Sequence, residues 1–556
     1  MKKRYSIISL FLVIVMTLIF AGGCAGLVPA PSPDPSDTDN PPPEPTPEPN
    51  PEPEPDNGER LAARICTTSS GKTYVEVDGK PFSIVGGQVR VDGLYNRSDE
   101  FRSQCPPCTD DEVEQYFAKA AECGLNTLEL ALQWKDVEQT KDNYDFSLVD
   151  KLLTFAVKYN LKCEFLWFST NMCGDGHGFS VPEYIVLDQI TYPRLQAEGL
   201  YFSHMYGQLM YFVLDNPNLM QRESLALTKL MDYVYEWSNS HDKATPLIGV
   251  QIHNESDGLL RWRLEQKKLS LDGEGVSPER LWQMTLAALD NAGKAVKQSK
   301  YKVYTRCNMT VTLGTGAFPQ FSNKTFSPLD VLALDGIDIV GDDPYVQSPE
   351  AISKTIKSYS VNGNYPHIAE NMGNYDNSPS LFLAAYQAGG CYMFYDFATP
   401  QYFILINGSS SYQMDQGLLN PDFSFKPHTQ QTLDMVKGIT SMGSVLPLVD
   451  SADFVAFNID TQYPQQKKQQ TLATTKPVVT FSTENGGIGF AVWYDGCLYL
   501  YFTADCSVTV SEVKTQLVAD IGAFCGDEFV ATDKQYITDV IEVSANKLYR
   551  LKIRND

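Results

Sequence analysis

Positive charge is scarce in this sequence, and that scarcity limits its possible partners. Only 44 Lys and Arg residues stand against 68 Asp and Glu residues in 556 positions, which gives a formal net charge of −24. Proteins that bind nucleic acid use Lys and Arg to neutralise phosphates. The composition therefore argues against a nucleic-acid partner.

Two further signals are missing. No glycine-rich phosphate loop follows the first predicted strand, where Gly86 and Gly87 stand alone, so an open doubly wound sheet is only the alternative fold. His177 lies in a predicted loop, but no second ligand stands at the spacing of a metal site. We expect neither a cofactor nor a metal.

Apolar and aromatic residues are abundant instead. Hydrophobic residues make up 43% of the chain, enough for one large core and a smaller one, and aromatic residues reach 12%. Aromatic side chains suit a neutral, ring-shaped ligand. Sugars are ligands of this kind.

The N-terminus has the order of an export signal. Basic residues at 2–4 precede an apolar run at 7–20, and small residues lead into Cys24. The run is too short to predict a membrane span. Residues 21–24, Ala-Gly-Gly-Cys, resemble the lipobox of bacterial lipoproteins, which implies that Cys24 is lipidated. We expect a signal peptide at 1–24 and a lipid anchor in a bacterial cell envelope; an ordinary secretory signal is the alternative.

A proline-rich spacer follows the signal. Residues 28–57 contain thirteen prolines and eight carboxylates and almost no apolar side chains. Such a segment cannot bury a core and favours an extended, disordered conformation. We expect a disordered linker at 25–60.

The middle of the chain alternates strand and helix signals, as a (β/α)₈ TIM barrel requires. Helix starts are also recognisable, for example the capping box of Thr109 and Glu112. We predict a catalytic barrel over residues 61–444. Its eight strands are expected at 82–91, 126–134, 161–168, 246–254, 302–309, 336–341, 367–370 and 390–397.

Strand signals crowd together near the C-terminus. An Asp495-Gly496 turn separates two apolar runs at 490–494 and 497–502, which is a strong hairpin signal. We predict a small C-terminal β-sandwich at 445–556.

Two glutamates stand at the ends of predicted barrel strands, where barrel enzymes place their working residues. Glu255 follows strand four beside Asn254, and Glu370 ends strand seven, 115 positions later. Strands four and seven are not neighbours, so their end residues can face each other across the barrel mouth. A retaining glycosidase needs such a pair of carboxyl groups, about 5–5.5 Å apart.

The segment 249–258 is similar to the Asn-Glu signature of clan A glycoside hydrolases, especially family 35 β-galactosidases. The resemblance implies that Glu255 is the acid/base and Glu370 the nucleophile, that Asn254 contacts the sugar 2-hydroxyl, and that Tyr345 donates to the nucleophile. His253 departs from family 35, which usually has Glu there. Other segments that resemble family 35 and family 42 enzymes are 86–87, 134–138, 144–147, 166–168, 182–184 and 192–194.

Three aromatic residues near strand ends could present apolar faces to a sugar: Trp134, Trp167 and Tyr395. The first functional hypothesis is a retaining, exo-acting, β-galactosidase-like enzyme. The second is an endo-acting β-glycanase of the same clan. The third is a surface carbohydrate-binding lipoprotein without catalysis.

Overall fold

The computed structural model describes most of one compact unit, Asn57–Asp556. The described residues are 58–89, 91, 108–172, 180–196, 202–203, 207–208, 211–258, 260, 269–309, 320–321, 324–325, 327, 329–360, 363–365, 367–373, 375–395, 397, 417–420, 422–457, 468–471, 478–482, 487–511, 516–538 and 540–552. The predicted signal peptide, the lipidation at Cys24, His177 and nearly all of the linker lie outside them. Within the described part of the chain, no helix has the length and apolar character needed to cross a bilayer.

The centre of the protein is a parallel sheet of eight strands. They are Val85–Val89 (β1), Thr127–Gln133 (β2), Lys162–Met172 (β3), Leu247–Asn254 (β4), Tyr304–Met309 (β5), Ile339–Asp342 (β6), His367–Met372 (β7) and Cys391–Tyr395 (β8). Each of the eight predicted strands overlaps one of these. The prediction of eight parallel strands in the middle of the chain is thus confirmed.

The strand order is β6-β5-β4-β3-β2-β1-β8-β7. Seven of the eight neighbour pairs of a closed barrel are therefore hydrogen bonded, including β8 with β1. For β6 and β7 the described residues include no ladder, although Cα atoms of the two strands come within 8 Å of each other. The sheet is thus curled so that its two edges meet.

Helices connect the strands and cover the sheet. Their bounds are Asp110–Cys123 (α1), Trp134–Val137 (α2), Ser147–Lys158 (α3), Glu183–Leu187 (α4), Pro217–Ser240 (α5), Pro278–Lys297 (α6), Leu329–Leu332 (α7), Pro349–Tyr359 (α8), Ser378–Gln387 (α9) and Gln430–Thr440 (α10), with 3₁₀ turns at Pro427–Thr429, Gly443–Leu448 and Ser451–Asp453.

Local sequence explains where several helices begin. Thr109 and Glu112 form the predicted capping box at the start of α1, since each side chain accepts from the other's backbone N–H. Helices α5, α6 and α8 begin at a proline behind an Asn or Ser cap. Proline fits there because the first helical N–H has no partner within the helix.

Several short strands form small sheets of their own beside the parallel sheet. Arg60–Leu61 pairs with Tyr301–Lys302. Ala63–Thr67, Thr73–Val77 and Lys80–Phe82 form a three-stranded sheet. Four hairpins pair Glu138–Thr140 with Asn143–Tyr144, Phe202–Ser203 with Gly207–Gln208, Ser270–Leu271 with Glu274–Gly275, and Gln320–Phe321 with Lys324–Thr325.

Two antiparallel sheets occupy the C-terminal part. One contains Phe454–Phe457, Gly489–Tyr494, Cys497–Phe502, Leu548–Lys552, Val518–Cys525 and Glu528–Tyr536; the other contains Lys468–Thr471, Val478–Ser482, Cys506–Ser511 and Ile541–Val543. The predicted hairpin is confirmed, because Tyr494 pairs with Cys497 around Asp495 and Gly496, both with positive φ.

The strand Phe454–Phe457 shows how the larger sheet is buried. Phe454 and Ala456 belong to the main hydrophobic core, whereas Val455 and Phe457 belong to a second core that also contains Val508 of the smaller sheet. Alternate residues of a strand point to opposite faces. The larger sheet is therefore covered on both faces, and on one of them it shares a core with the smaller sheet.

Candidate active site

The predicted Asn-Glu pair lies at the C-terminal end of β4, where it meets the ends of two neighbouring strands. Asn254 is the last residue of β4 and is buried, and Glu255 follows it and is half-buried. Asn308 on β5 and Asp343 just after β6 are both fully buried. Parallel strands end at one edge of the sheet, so these four residues lie close together there.

The backbone at this edge is strained. His253, Glu255 and Tyr345 have φ values of +60°, +46° and +42°. Non-glycine residues avoid this left-handed region because Cβ crowds the following carbonyl oxygen. Such conformations persist only where the surroundings hold them, and they concentrate at functional sites.

The Asn308 side chain holds the end of β4. Its Oδ1 accepts the backbone N–H of Glu255 at 2.8 Å, and its Nδ2 donates to Asn254 Oδ1 at 2.9 Å and to Asp343 Oδ2 at 2.6 Å. Asn254 Oδ1 also accepts Nε2 of Gln251 at 3.1 Å. The acceptor end of the Asn254 amide is thus bound to the protein, which turns its Nδ2 away from Gln251 and Asn308.

A buried hydrogen-bonded pair of side chains lies beneath the same turn. His253 Nε2 is 2.9 Å from Glu223 Oε1 of helix α5, and Trp167 Nε1 donates to the same oxygen at 3.0 Å. Burial raises the pKa of Glu223. The attraction of His253 and the hydrogen bonds donated to the Glu223 carboxylate outweigh burial and hold that pKa below its ordinary value. The histidine that departs from the family 35 pattern therefore anchors the strand end to a helix.

Glu370, the other predicted catalytic residue, is the fourth residue of β7. The register of β7 against β8 shifts between Ile368 and Asn371, so the strand is irregular beside Glu370. Its side chain lies outside the described residues.

Tyr345 and Tyr395, predicted separately, come together. Both are half-buried, and their rings form an edge-to-face pair with centroids 5.5 Å apart. Tyr345 follows β6, which comes close to β7, and Tyr395 ends β8, which is hydrogen bonded to β7. The tyrosine pair therefore spans the end of the strand that carries Glu370.

Trp134 and Trp167 differ from the expectation that they face a ligand. Both are fully buried, their rings are 6.5 Å apart, and their Nε1 atoms donate to Glu138 and Glu223. Contact with a sugar would require them to become exposed. In this structure they are packing residues, because their indole N–H groups are taken by carboxylates below the site.

A cluster of charged side chains is buried inside the curled sheet. Arg306 Nε donates to Glu164 at 2.8 Å, its Nη2 donates to Glu129, and Tyr304 donates to Glu164. All four are buried. Tyr304 has room because it faces Gly249, where an added Cβ would lie 2.4 Å from the ring. Two carboxylates thus share one guanidinium away from water.

The excess carboxylate in this cluster predicts a pH effect on stability. Burial raises the pKa of Glu164 to about 7, despite the opposing attraction of Arg306. The folded state therefore holds a proton that the unfolded chain releases near its ordinary carboxyl pKa. This contribution to stability is complete below that ordinary pKa and is lost as pH rises through about 7.

Glu164→Gln mimics the protonated form and should remove this dependence. Urea unfolding of wild type and variant at pH 5 and pH 7.5 measures it. We expect the stability of wild type relative to E164Q to fall by about 1–3 kcal/mol over that interval. Parallel pH curves for the two proteins would contradict the assignment.

Several residues of the site were missed by sequence reasoning: Glu223, Arg306, Asn308 and Asp343. Arg306 and Asn308 gave a usable signal, since polar residues inside an otherwise apolar strand point to a buried network. Glu223 gave none, because it lies in an ordinary amphipathic helix. Among the described residues, no group of three His, Cys, Asp or Glu side chains is arranged to hold a metal ion.

Comparison with known proteins gives one family match. Residues 284–464 match a family described as Domain of unknown function (DUF4978). This segment is about a third of the chain and includes β5 to β8. A search among curated proteins returned no match.

Among the solved structures that align with the chain are three enzymes. Exo-β-1,4-mannosidase Op5Man5 from Opitutaceae bacterium strain TAV5 is 14% identical over 68% of this chain and 63% of its own, with a TM-score of 0.47. A polyextremophilic β-galactosidase from the Antarctic haloarchaeon Halorubrum lacusprofundi is 13% identical over 64% of this chain and 58% of its own, with a TM-score of 0.45. A β-galactosidase from the psychrophilic Marinomonas ef1 is 12% identical over 66% of this chain and 62% of its own, with a TM-score of 0.45.

This chain spans about three fifths of the length of each of these enzymes. Identities of 12–14% do not carry a substrate from them to this chain.

Proposed function

We propose that this chain is a retaining β-glycosidase in which Glu255 is the acid/base and Glu370 the nucleophile. The observation that carries the proposal is the Asn254-Glu255 pair, held in a strained conformation at the end of β4 by a buried network. Strand β7, which carries Glu370, is not a neighbour of β4 in the sheet. In a closed barrel the two strand ends face each other across the mouth.

The same proposal includes closure of the barrel between β6 and β7. Seven hydrogen-bonded neighbour pairs and the approach of the two edge strands support a (β/α)₈ barrel. The C-terminal β-sandwich at 445–556 is proposed on the same basis, from two antiparallel sheets over one core.

The roles follow from the chemistry of retention. Glu370 attacks the anomeric carbon while Glu255 protonates the leaving oxygen, and Glu255 then takes a proton from the water that releases the sugar. Asn254 directs its Nδ2 to the 2-hydroxyl, and Tyr345 donates to the nucleophile. Tyr395, in contact with Tyr345, offers an apolar edge to the sugar ring.

The substrate class is a β-linked oligosaccharide or polysaccharide, and exo action on a galactoside-like terminal sugar is the first choice. Anchoring of the enzyme to a bacterial envelope through Cys24 is part of the proposal and comes from the sequence alone.

A panel of aryl β-glycosides, with galactosides and mannosides first, tests the proposal in wild-type protein. We expect hydrolysis of at least one, with the first-formed sugar retaining the β configuration by NMR. Digestion of a polysaccharide to internal fragments without release of terminal sugar would favour the endo-acting alternative. Saturable binding without hydrolysis would favour the non-catalytic carbohydrate-binding alternative.

A further inference from the structure

We propose that Asn308 is a positioning residue for the acid/base Glu255, with Asp343 fixing the orientation of its amide. The inference rests on the proposed function, since it concerns the same reaction. Asn308 is on β5 and does not belong to the Asn-Glu pair itself.

Both ends of the Asn308 amide are committed to this edge of the sheet. The carbonyl oxygen accepts from Glu255, and the amino group donates to Asn254 and Asp343. A primary amide has one acceptor oxygen and two N–H donors. One buried side chain thus ties both members of the Asn-Glu pair to the end of β6.

The bond to Glu255 has a direct consequence for its carboxyl group. Glu255 has a φ of +46°, which residues with a Cβ atom adopt only rarely. Rotation about φ also rotates the Cα–Cβ bond. Without the bond from its N–H to Asn308, Glu255 would relax to negative φ, and its carboxyl group would leave its place. A displacement of about 1 Å in a catalytic group costs about 10²-fold in rate.

Asp343 makes the orientation of the amide unique. Its carboxylate can accept from Nδ2 of Asn308 but offers nothing to Oδ1. A flipped Asn308 would place its oxygen against Asp343 and Asn254 Oδ1, and its amino group against the N–H of Glu255. Each of these contacts is repulsive, so the carboxylate of Asp343 selects the amide orientation that holds Glu255.

The test uses the dependence of rate on the leaving group. Protonation by Glu255 matters for a poor leaving group and hardly at all for 2,4-dinitrophenolate. In N308A we expect kcat/KM to fall about 10²-fold for a phenyl β-glycoside and less than about 5-fold for the 2,4-dinitrophenyl glycoside of the same sugar. The glycoside is the one that wild type hydrolyses best.

Asn364 provides a matched control. It is also buried, and its amide makes three hydrogen bonds, accepting from Val340 N–H and donating to the carbonyl oxygens of Val340 and Tyr359. It precedes β7, at the end of the sheet opposite the site. N364A should leave the ratio of the two rates at the wild-type value.

D343N is the second test variant and retains the side-chain volume. We expect the same selective loss, smaller than in N308A, because the amide of Asn308 can then flip. It also answers the question if N308A does not fold. Equal losses for both leaving groups in N308A or D343N would overturn the positioning role. Absence of hydrolysis in wild type would instead refute the proposed function, so the two failures are distinguishable.

Discussion

Glu370→Ala should reduce turnover of an aryl β-glycoside by at least about 10³-fold, because the covalent intermediate can no longer form. Azide should restore part of the rate by entering the space left by the carboxylate. It attacks the β-glycoside directly from the opposite face, so the product should be the α-glycosyl azide. Product configuration by NMR measures this.

Glu255→Ala is the matched variant for this experiment. Here the covalent intermediate still forms from a 2,4-dinitrophenyl glycoside, and azide attacks that intermediate, so the product should be the β-glycosyl azide. The opposite pairing of products and variants would mean that the two roles are exchanged. Unchanged hydrolysis in Glu370→Ala would exclude it as the nucleophile.

Arg306→Met should cost about 3–5 kcal/mol in the free energy of unfolding, the largest stability effect expected in this protein. The substitution leaves Glu129 and Glu164 buried without their shared guanidinium. Removing one partner of a buried ionic cluster leaves charge without compensation, and this is the costly step. Urea denaturation at pH 7.5 measures the loss.

Two control variants separate this cost from a general effect of losing arginine. Arg64→Met breaks a surface pair with Glu76, in which the arginine side chain is 56% exposed, and should cost less than about 1 kcal/mol. Adding Glu129→Gln and Glu164→Gln to Arg306→Met removes the uncompensated carboxylates and should recover part of the stability. A loss below about 1 kcal/mol in the single variant would show that the cluster is not a buried ionic unit.

The parallel strands could be predicted from sequence because they are buried on both sides and form short apolar runs. The first and last residues of these strands were less predictable. The first strand was expected at 82–91 but is Val85–Val89, since Lys80–Phe82 pairs with Thr73–Val77 instead. The sixth was expected to start at Gly336, but that glycine lies against helix α6, where an added Cβ would be 2.4 Å from the carbonyl oxygen of Asp290.

The candidate site could be predicted only in part, because position in the sequence indicates the role of some of its residues but not of others. Glu255 and Asn254 could be found at a strand end. Trp134 is fully buried, because α2 begins at this residue and its indole N–H donates inward to Glu138. The hydrogen bond from Glu255 to Asn308 joins residues 53 positions apart in sequence, and no local pattern encodes such a contact.

Identification of the residue that becomes glycosylated tests the catalytic assignment most directly. Wild-type protein would be incubated with a 2,4-dinitrophenyl 2-deoxy-2-fluoro-β-glycoside of the preferred sugar, digested, and sequenced by tandem mass spectrometry. The fluorine slows breakdown of the covalent intermediate, so we expect one fluoroglycosyl group per chain, on Glu370. A label on any other carboxylate, or full hydrolytic activity with no label, would contradict the assignment.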